Sequence, residues 1–315
     1  MRYISELKEG SRIQDIYLCK HKQGAVTKTG KPYETVILQD RTGQLDAKIW
    51  DPNSEGICDF DVLDYIYVAG SVSSFNGQLQ ASLRQVRKAD EGEYIPADYL
   101  PVTRKNTKMM MGELLTFIES VKNPYLKKLL KSFFEEDGPF IKTFVSHSAA
   151  KTVHHSFVGG LLEHTLSVVR LSDYLAANYP AINRDLLISC AMLHDIGKTR
   201  ELSAFPMNEY TDDGQMLGHI MIGAEMIHDH IREIPDFPAK LETEVKHCIL
   251  AHHGEYEYGS PKKPAILEAI ALNRADNTDA KLETMTEILE NAGDNNDWLG
   301  FNRFFESNLR RTGGN

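Results

Sequence analysis

The residues of this 315-residue chain that could do chemistry are histidines and aspartates, recurring in a fixed order along it. LLISCAMLHDIGKTREL, residues 186–202, ends an apolar run with His194 and Asp195 side by side and Lys198 one turn later. Upstream, GGLLEHTLSVVRLSDYLA carries His164. Downstream, GHIMIGAEMIHDH carries His219, EVKHCILAHHGEYEYG carries His252 and His253, and LEAIALNRADNTDA carries Asp276. Neutral imidazoles and carboxylates together suit borderline divalent ions such as Mn, Fe, Co or Zn, whereas a soft ion prefers thiolate. Two such ions about 3.5–4 Å apart can polarise a water and neutralise charge growing on a phosphate. Lys198 is placed to meet a phosphoryl oxygen as that charge grows. Its ordinary alternative is a solvated lysine at a helix end, favoured by the helix dipole.

Positioning these groups requires helices. His219 shares a face with Ile222, Gly223 and Met226, His252 with Val245 and Ile249, and Asp276 with Ala269 and Leu272. Ahead of them, TKMMMGELLTFIESV and NPYLKKLLKSFFEEDG read as amphipathic helices, the second with Pro124 near its start and Gly138 near its stop. PFIKTFVSHSAAKTVHH adds a short helix. Its His154 and His155 either approach a nucleic-acid substrate from the rim or make a capping or interhelix hydrogen bond. Arg200 is a phosphate-contact candidate, and Glu201 beside it reads as a rim residue. Tyr256 and Tyr258, in the loop 254–264, either line the substrate path or belong to an exposed loop.

The ordered set His164, His194-Asp195, Asp276 resembles the HD superfamily of metal-dependent phosphohydrolases, and His219, His252 and His253 resemble its polynuclear version. The resemblance implies an all-α domain with its core at about residues 145–290. It further implies metal ligation by all seven residues, with Asp195, a central carboxylate able to touch two ions, as the bridge. Asp195 and Lys198 are then the catalytic pair.

The first ninety residues follow a different period. RIQDIYLCKHK, YETVILQDR, QLDAKIWD, DYIYVAGSVSSF and QLQASLRQVR alternate apolar and polar positions and are separated by turn signals, which predicts five strands. Five short strands without a long helix suit a small closed barrel, with an SH3-like barrel or a sandwich as alternatives. KTGKPYETVILQDRTGQLDAKIWD resembles nucleic-acid-binding OB-fold domains. Lys20, Lys22, Lys28 and Lys31 gather around the first turn, while Tyr33 and Phe75 offer rings. Cations plus aromatic platforms are what a single strand needs for backbone attraction and stacking. The alternative is a solvated lysine-rich hairpin with two core aromatics. The domain organisation expected is an OB-fold domain at 1–90, a linker at 91–105 and a helical region at 106–315.

Composition sets further bounds. The chain carries a formal charge of −10, yet residues 1–90 balance twelve Lys and Arg against twelve Asp and Glu, so the acidity lies wholly in the remainder. The surface is therefore no general polycation, and any nucleic-acid attraction must be local. Four cysteines without CxxC spacing argue against a zinc ribbon or a disulfide scaffold. No apolar run is long enough to span a bilayer and the N-terminus lacks a signal-peptide core, so a cytoplasmic protein with no membrane partner is expected. The Met-rich helix near 109 and WLGFNRFFESNLRR suggest a homo-oligomer interface, the alternative for the second being that it buries its aromatics within the same chain.

Taken along its whole length, the chain resembles the YhaM-type family of 3'-5' exoribonucleases. That resemblance implies Mn2+-dependent removal of nucleoside monophosphates from single-stranded RNA, with single-stranded DNA open as a second substrate. The rival readings are a phosphodiesterase or phosphatase acting on a small nucleotide, and a non-catalytic single-strand-binding replication accessory protein.

Overall fold

The computed structural model describes residues 1–27, 29–75, 77–134, 138–151, 155–293, 295 and 297–313. Lys28 and His154, two of the expected nucleic-acid contacts, lie outside the described residues. The chain divides into two compact units, Met1–Val102 with Ala204–Asn208, and Thr103–Ser203 with Glu209–Asn315.

The first unit is a five-stranded closed barrel of order β1-β2-β3-β5-β4, from β1 (Arg12–Val26), β2 (Pro32–Asp40), β3 (Gly43–Ile49), β4 (Tyr65–Phe75) and β5 (Gln78–Lys88). One long strand makes closure possible. β1 pairs with β4 along Arg12 to Leu18 and with β2 along Leu18 to Val26, with an irregularity between Cys19 and His21 where the strand turns from one neighbour to the other. β3 and β5 pair in parallel and complete the ring, the Greek-key closure of an OB-fold. Alternate residues point inward, among them Tyr17, Val36, Leu38, Ala47, Ile49, Ile66 and Val68, and form one core. Gly70 lies at the β4 irregularity because no side chain fits there. A Cβ would sit 2.2 Å from the Ser82 carbonyl oxygen.

Residues 91–102, expected within a linker, belong to the barrel unit. Aromatic packing holds them: Tyr94 stacks on Tyr65 at 3.8 Å, Tyr99 is buried, and its carbonyl accepts from Gln39 Nε2.

The second unit is built from α1 (Thr107–Ser120), α2 (Pro124–Phe134), α3 (Pro139–Ser146), α4 (Gly160–Asn178), α5 (Arg184–Leu193), α6 (Lys198–Glu201), α7 (Asp212–Met216), α8 (Gly218–Arg232), α9 (Ala239–Ala251) and α10 (Leu267–Asn291). Asn106, Asn183 and Thr211 cap α1, α5 and α7 by accepting backbone N–H bonds. α5 is the central element: every residue from Leu186 to Leu193 is buried, as expected of a helix apolar on all sides. α4 and α10 pack against it and against each other.

The expectation of helix throughout 106–315 fails at its end, where β6 (Trp298–Asn302) and β7 (Ser307–Arg310) form an antiparallel hairpin. Trp298, Phe301 and Phe304 stay exposed on it, while Leu309 anchors it. No described helix is long and apolar enough to cross a membrane.

Candidate metal centre and substrate cleft

Two of the ligand-bearing segments use the same local device. α5 and α9 each end in a C-cap histidine, His194 and His252, whose Nδ1–H donates to the carbonyl three residues back, Ala191 at 2.8 Å and Ile249 at 2.7 Å. The last carbonyls of a helix have no partner within it, so they are free to orient an imidazole, and the negative end of the helix dipole favours a cation nearby. Because a carbonyl can only accept, Nδ1 carries the proton and Nε2 is left as a lone pair. His253 is held in the same tautomer by the Tyr258 carbonyl at 2.8 Å. His219 Nδ1 lies 2.9 Å from Glu201 Oε1, and His164 Nδ1 lies 2.7 Å from Asp279 Oδ2. Carboxylates on the outer nitrogen fix the ring and raise the basicity of the inner one.

The inner nitrogens converge in two triads. Ligand atoms of His164, His194 and Asp276 lie within 4.8 Å of one another, as do those of His219, His252 and His253. Asp195 stands between them. Its Oδ2 is 3.4 Å from His164 Nε2 and 3.3 Å from His194 Nε2, while its Oδ1 is 3.5 Å from His219 Nε2 and 3.7 Å from His252 Nε2. Asp276 Oδ1 closes the first triad at 3.2 Å from His164 Nε2. The arrangement passes a direct test for cations. Asp195 Oδ1, His219 Nε2 and His252 Nε2 are buried and make no hydrogen bond in the described structure. Leaving three such atoms unsatisfied is costly unless an ion binds them.

Electrostatics follow the same division. Burial opposes ionisation of Asp195, yet Lys198 and His194 hold its carboxyl well below the usual range. Burial likewise opposes the charge on Asp276, which His164 and His194 overcome. His164 is pushed well above the ordinary imidazole range, because Asp195, Asp276 and Asp279 together outweigh its burial. His252 moves the other way, lowered by burial and then by His253 and His194, and so stays a neutral donor.

Several expected contacts stand elsewhere. Lys198 Nζ lies 2.7 Å from Asp195 Oδ2 and also lines the cleft, so its charge is shared between that carboxylate and the open space. His155 is no rim contact. It is 1% exposed, and its Nε2 lies 3.1 Å from Asp279 Oδ2, because the turn before α4 folds it behind His164. Glu201 is not a rim residue either, since it is buried and accepts from both His219 N and Nδ1. Arg200 is exposed. Asp279, which sequence reasoning missed, holds His164, His155 and Ser167 at once. Its signal was its place three residues after Asp276, on the same side of α10.

A cleft of about 690 Å³ opens onto the triads. It is lined by Asp195, Lys198, His253 and Asp276 together with Tyr258, Asn273, Asn277, Lys281 and the hairpin turn at Phe304. Tyr256 is exposed in the same short turn as Tyr258, with Lys263 above its ring.

On the barrel, Tyr33 stacks with Trp50 at 5.3 Å, Lys48 Nζ lies 5.5 Å from the Tyr33 ring, and Trp50 is 53% exposed. Trp50 closes the run quoted for the OB resemblance but was not singled out there. Lys22 is committed internally, to the Phe60 carbonyl at 2.9 Å and to Glu34 at 3.5 Å. Lys20 donates to the Pro206 and Met207 carbonyls. Lys31 and Phe75 are exposed near the β1–β2 turn and at the end of β4.

Comparison with known proteins agrees with the helical unit and places the whole chain. The family model of the HD domain matches residues 161–281. 3'-5' exoribonuclease YhaM of Bacillus velezensis is 34% identical over 282 residues, covering 89% of this chain and 88% of that protein. 3'-5' exoribonuclease YhaM of Listeria monocytogenes is 31% identical over 288 residues, covering 91% of each. Among solved structures, the second OB-fold domain of replication protein A from Methanococcus maripaludis matches 29% of this chain and 96% of that domain at 20% identity, with a TM-score of 0.22, too low to carry weight. With about a third of its residues shared over nearly the whole length of both chains, the chain belongs to the YhaM family of 3'-5' exoribonucleases.

Proposed function

We propose that this protein shortens single-stranded RNA from its 3' end and releases nucleoside monophosphates. The observation that carries the reading is Asp195, with one oxygen turned to each triad at the floor of an open cleft. His164, His194 and Asp276 would hold one divalent cation, and His219, His252 and His253 a second, with Asp195 touching both. When bound, such a pair supplies a polarised water and neutralises charge on the phosphate. The side chains do the rest. The backbone carbonyls and the carboxylates of Asp279 and Glu201 engage the Nδ1 of each ligating histidine, so that Nε2 is the nitrogen offered to a cation, which on His164 must displace a proton. Lys198 balances Asp195 and stands at the cleft, ready to share its charge with a phosphate oxygen.

The donor set, oxygen and nitrogen without thiolate, suits Mn2+, Fe, Co and Zn alike, and the resemblance to the YhaM-type family makes Mn2+ the ion we propose. Tyr33, Trp50 and Lys48 supply the stacking and charge by which a barrel retains an unpaired strand. Single-stranded DNA offers the same bases and phosphates and is proposed as a second substrate.

The test is to incubate 5'-labelled single-stranded RNA, single-stranded DNA, duplex and small cyclic nucleotides with Mn2+, and again after chelation. A ladder shortening from the 3' end is expected on single strands and should disappear with chelator or with Asp195→Ala. Hydrolysis of the cyclic nucleotides alone would instead establish the small-phosphodiester activity. Strand binding without any hydrolysis would establish the accessory role.

A further inference from the structure

The proposed hydrolysis leaves one part of the cleft without a task. α10 and the segment after α5 contribute Asp276, Asp195 and Lys198, whereas the turn between β6 and β7 contributes Phe304, Phe305 and Glu306. That turn is held in shape. Asn302 Oδ1 accepts the backbone N–H of Phe304 at 2.9 Å and of Phe305 at 3.3 Å. The hairpin is tied down in turn by buried Leu309 and by Arg311, which donates to the Leu289 carbonyl near the end of α10. The two rings meet edge to face at 5.0 Å, and Phe304 remains 49% exposed. A large apolar ring is thus offered to the cleft on a fixed backbone and not folded into the core.

We propose that this turn is a nucleobase subsite, in which Phe304 stacks on the base of the 3'-terminal nucleotide and Phe305 braces it. The charges in the cleft choose that occupant. The cation-binding residues and Lys198 define where the scissile phosphate belongs, while Glu306 on the aromatic turn repels a second phosphate and leaves that region to ribose and base. Every base has a face that stacks on a ring, so the subsite suits an enzyme that works through any sequence. A paired terminal base has its face covered by its neighbour, so a duplex end fits poorly. The proposal rests on the exoribonuclease reading for which nucleotide is held, and on the cleft alone for the kind of ligand.

The experiment uses the full-length protein with Mn2+ and compares the binding of adenosine 5'-monophosphate and ribose 5-phosphate, which differ by the base. The wild type should prefer the nucleotide. Phe304→Ala should weaken nucleotide binding by about 5- to 150-fold, the range of one stacked base, and leave ribose 5-phosphate unchanged. Phe304→Tyr should retain the preference. Because Phe304 is half exposed, truncating it should spare the fold, and an unchanged melting temperature checks this. A wild type without preference, or a Phe304→Ala variant that keeps it, overturns the subsite. A base preference lost in Phe304→Ala, in a protein whose wild type never shortens RNA, supports the subsite and refutes the exoribonuclease reading.

Discussion

Asp279 offers the sharpest test of how the metal centre is built. Its Oδ2 lies 2.7 Å from His164 Nδ1 and 3.1 Å from His155 Nε2, its Oδ1 accepts from Ser167, and against its burial His155, His164 and Ser167 hold its carboxyl well below the usual range. Asp279→Asn keeps the shape and removes the charge. A charge-assisted hydrogen bond contributes roughly 1.5–3 kcal/mol, and loss of a carboxylate behind a ligating histidine typically costs about 10- to 100-fold in metal affinity. At about 1.4 kcal/mol per factor of ten the two figures coincide. The loss should fall on the triad of His164, His194 and Asp276, not on the one with His219. At limiting Mn2+ the variant should therefore retain close to half of the wild-type metal, measured by metal analysis after dialysis against a weak chelator, with thermal unfolding to confirm the fold. Full metal content and an affinity within twofold of wild type would refute the role given to Asp279.

Further expectations concern the remaining parts of the machinery. Gly197→Ala should lower both thermal stability and Mn2+ affinity, because the added Cβ would lie 2.1 Å from the His219 carbonyl oxygen and 2.7 Å from Gly223 N, forcing α8 and its ligand outward. Overpacking of this kind costs about 1–3 kcal/mol, and a variant with an unchanged melting curve would contradict the contact. Trp50→Ala should weaken single-stranded RNA binding by roughly 5- to 150-fold in a fluorescence anisotropy titration, the equivalent of one stacked base, without altering metal content. Equal affinity would remove Trp50 from the strand-binding surface. Metal loading should release protons. His164 is held protonated by three carboxylates below its raised value, and a cation must displace that proton, so affinity should rise as pH rises through it. Calorimetric titrations in buffers of different ionisation heat measure this directly, and zero proton exchange would show that His164 is already neutral in the metal-free protein.

Much of the centre was legible because it is made of local patterns. The order His164, His194-Asp195, Asp276 and the apolar faces around each ligand are properties of single helices, and so are the strand alternation and turns of the barrel. The partners behind the ligands were less legible, since nothing in a one-dimensional pattern distinguishes Glu201 from the many exposed acids of an acidic chain, and Asp279 is marked only by its place three residues after Asp276. For His155 the interhelix hydrogen bond, and not the rim contact, is the alternative realised, on a buried carboxylate of α10 124 residues away that its neighbours in sequence do not record. The tyrosines of residues 91–102 had the composition of a linker, and packing against the barrel gave them another place.

The sequence by itself determined the barrel strands, the ligand-bearing helices with their buried faces, and which side chains can ligate a divalent cation, because these depend on backbone period and side-chain chemistry within a few residues. Only the tertiary structure decided that the two oxygens of Asp195 face different triads, that every ligating histidine presents Nε2, and that the C-terminal hairpin walls the cleft. Those outcomes depend on how α4, α5, α8, α9 and α10 are packed around one buried helix, across separations no local pattern records.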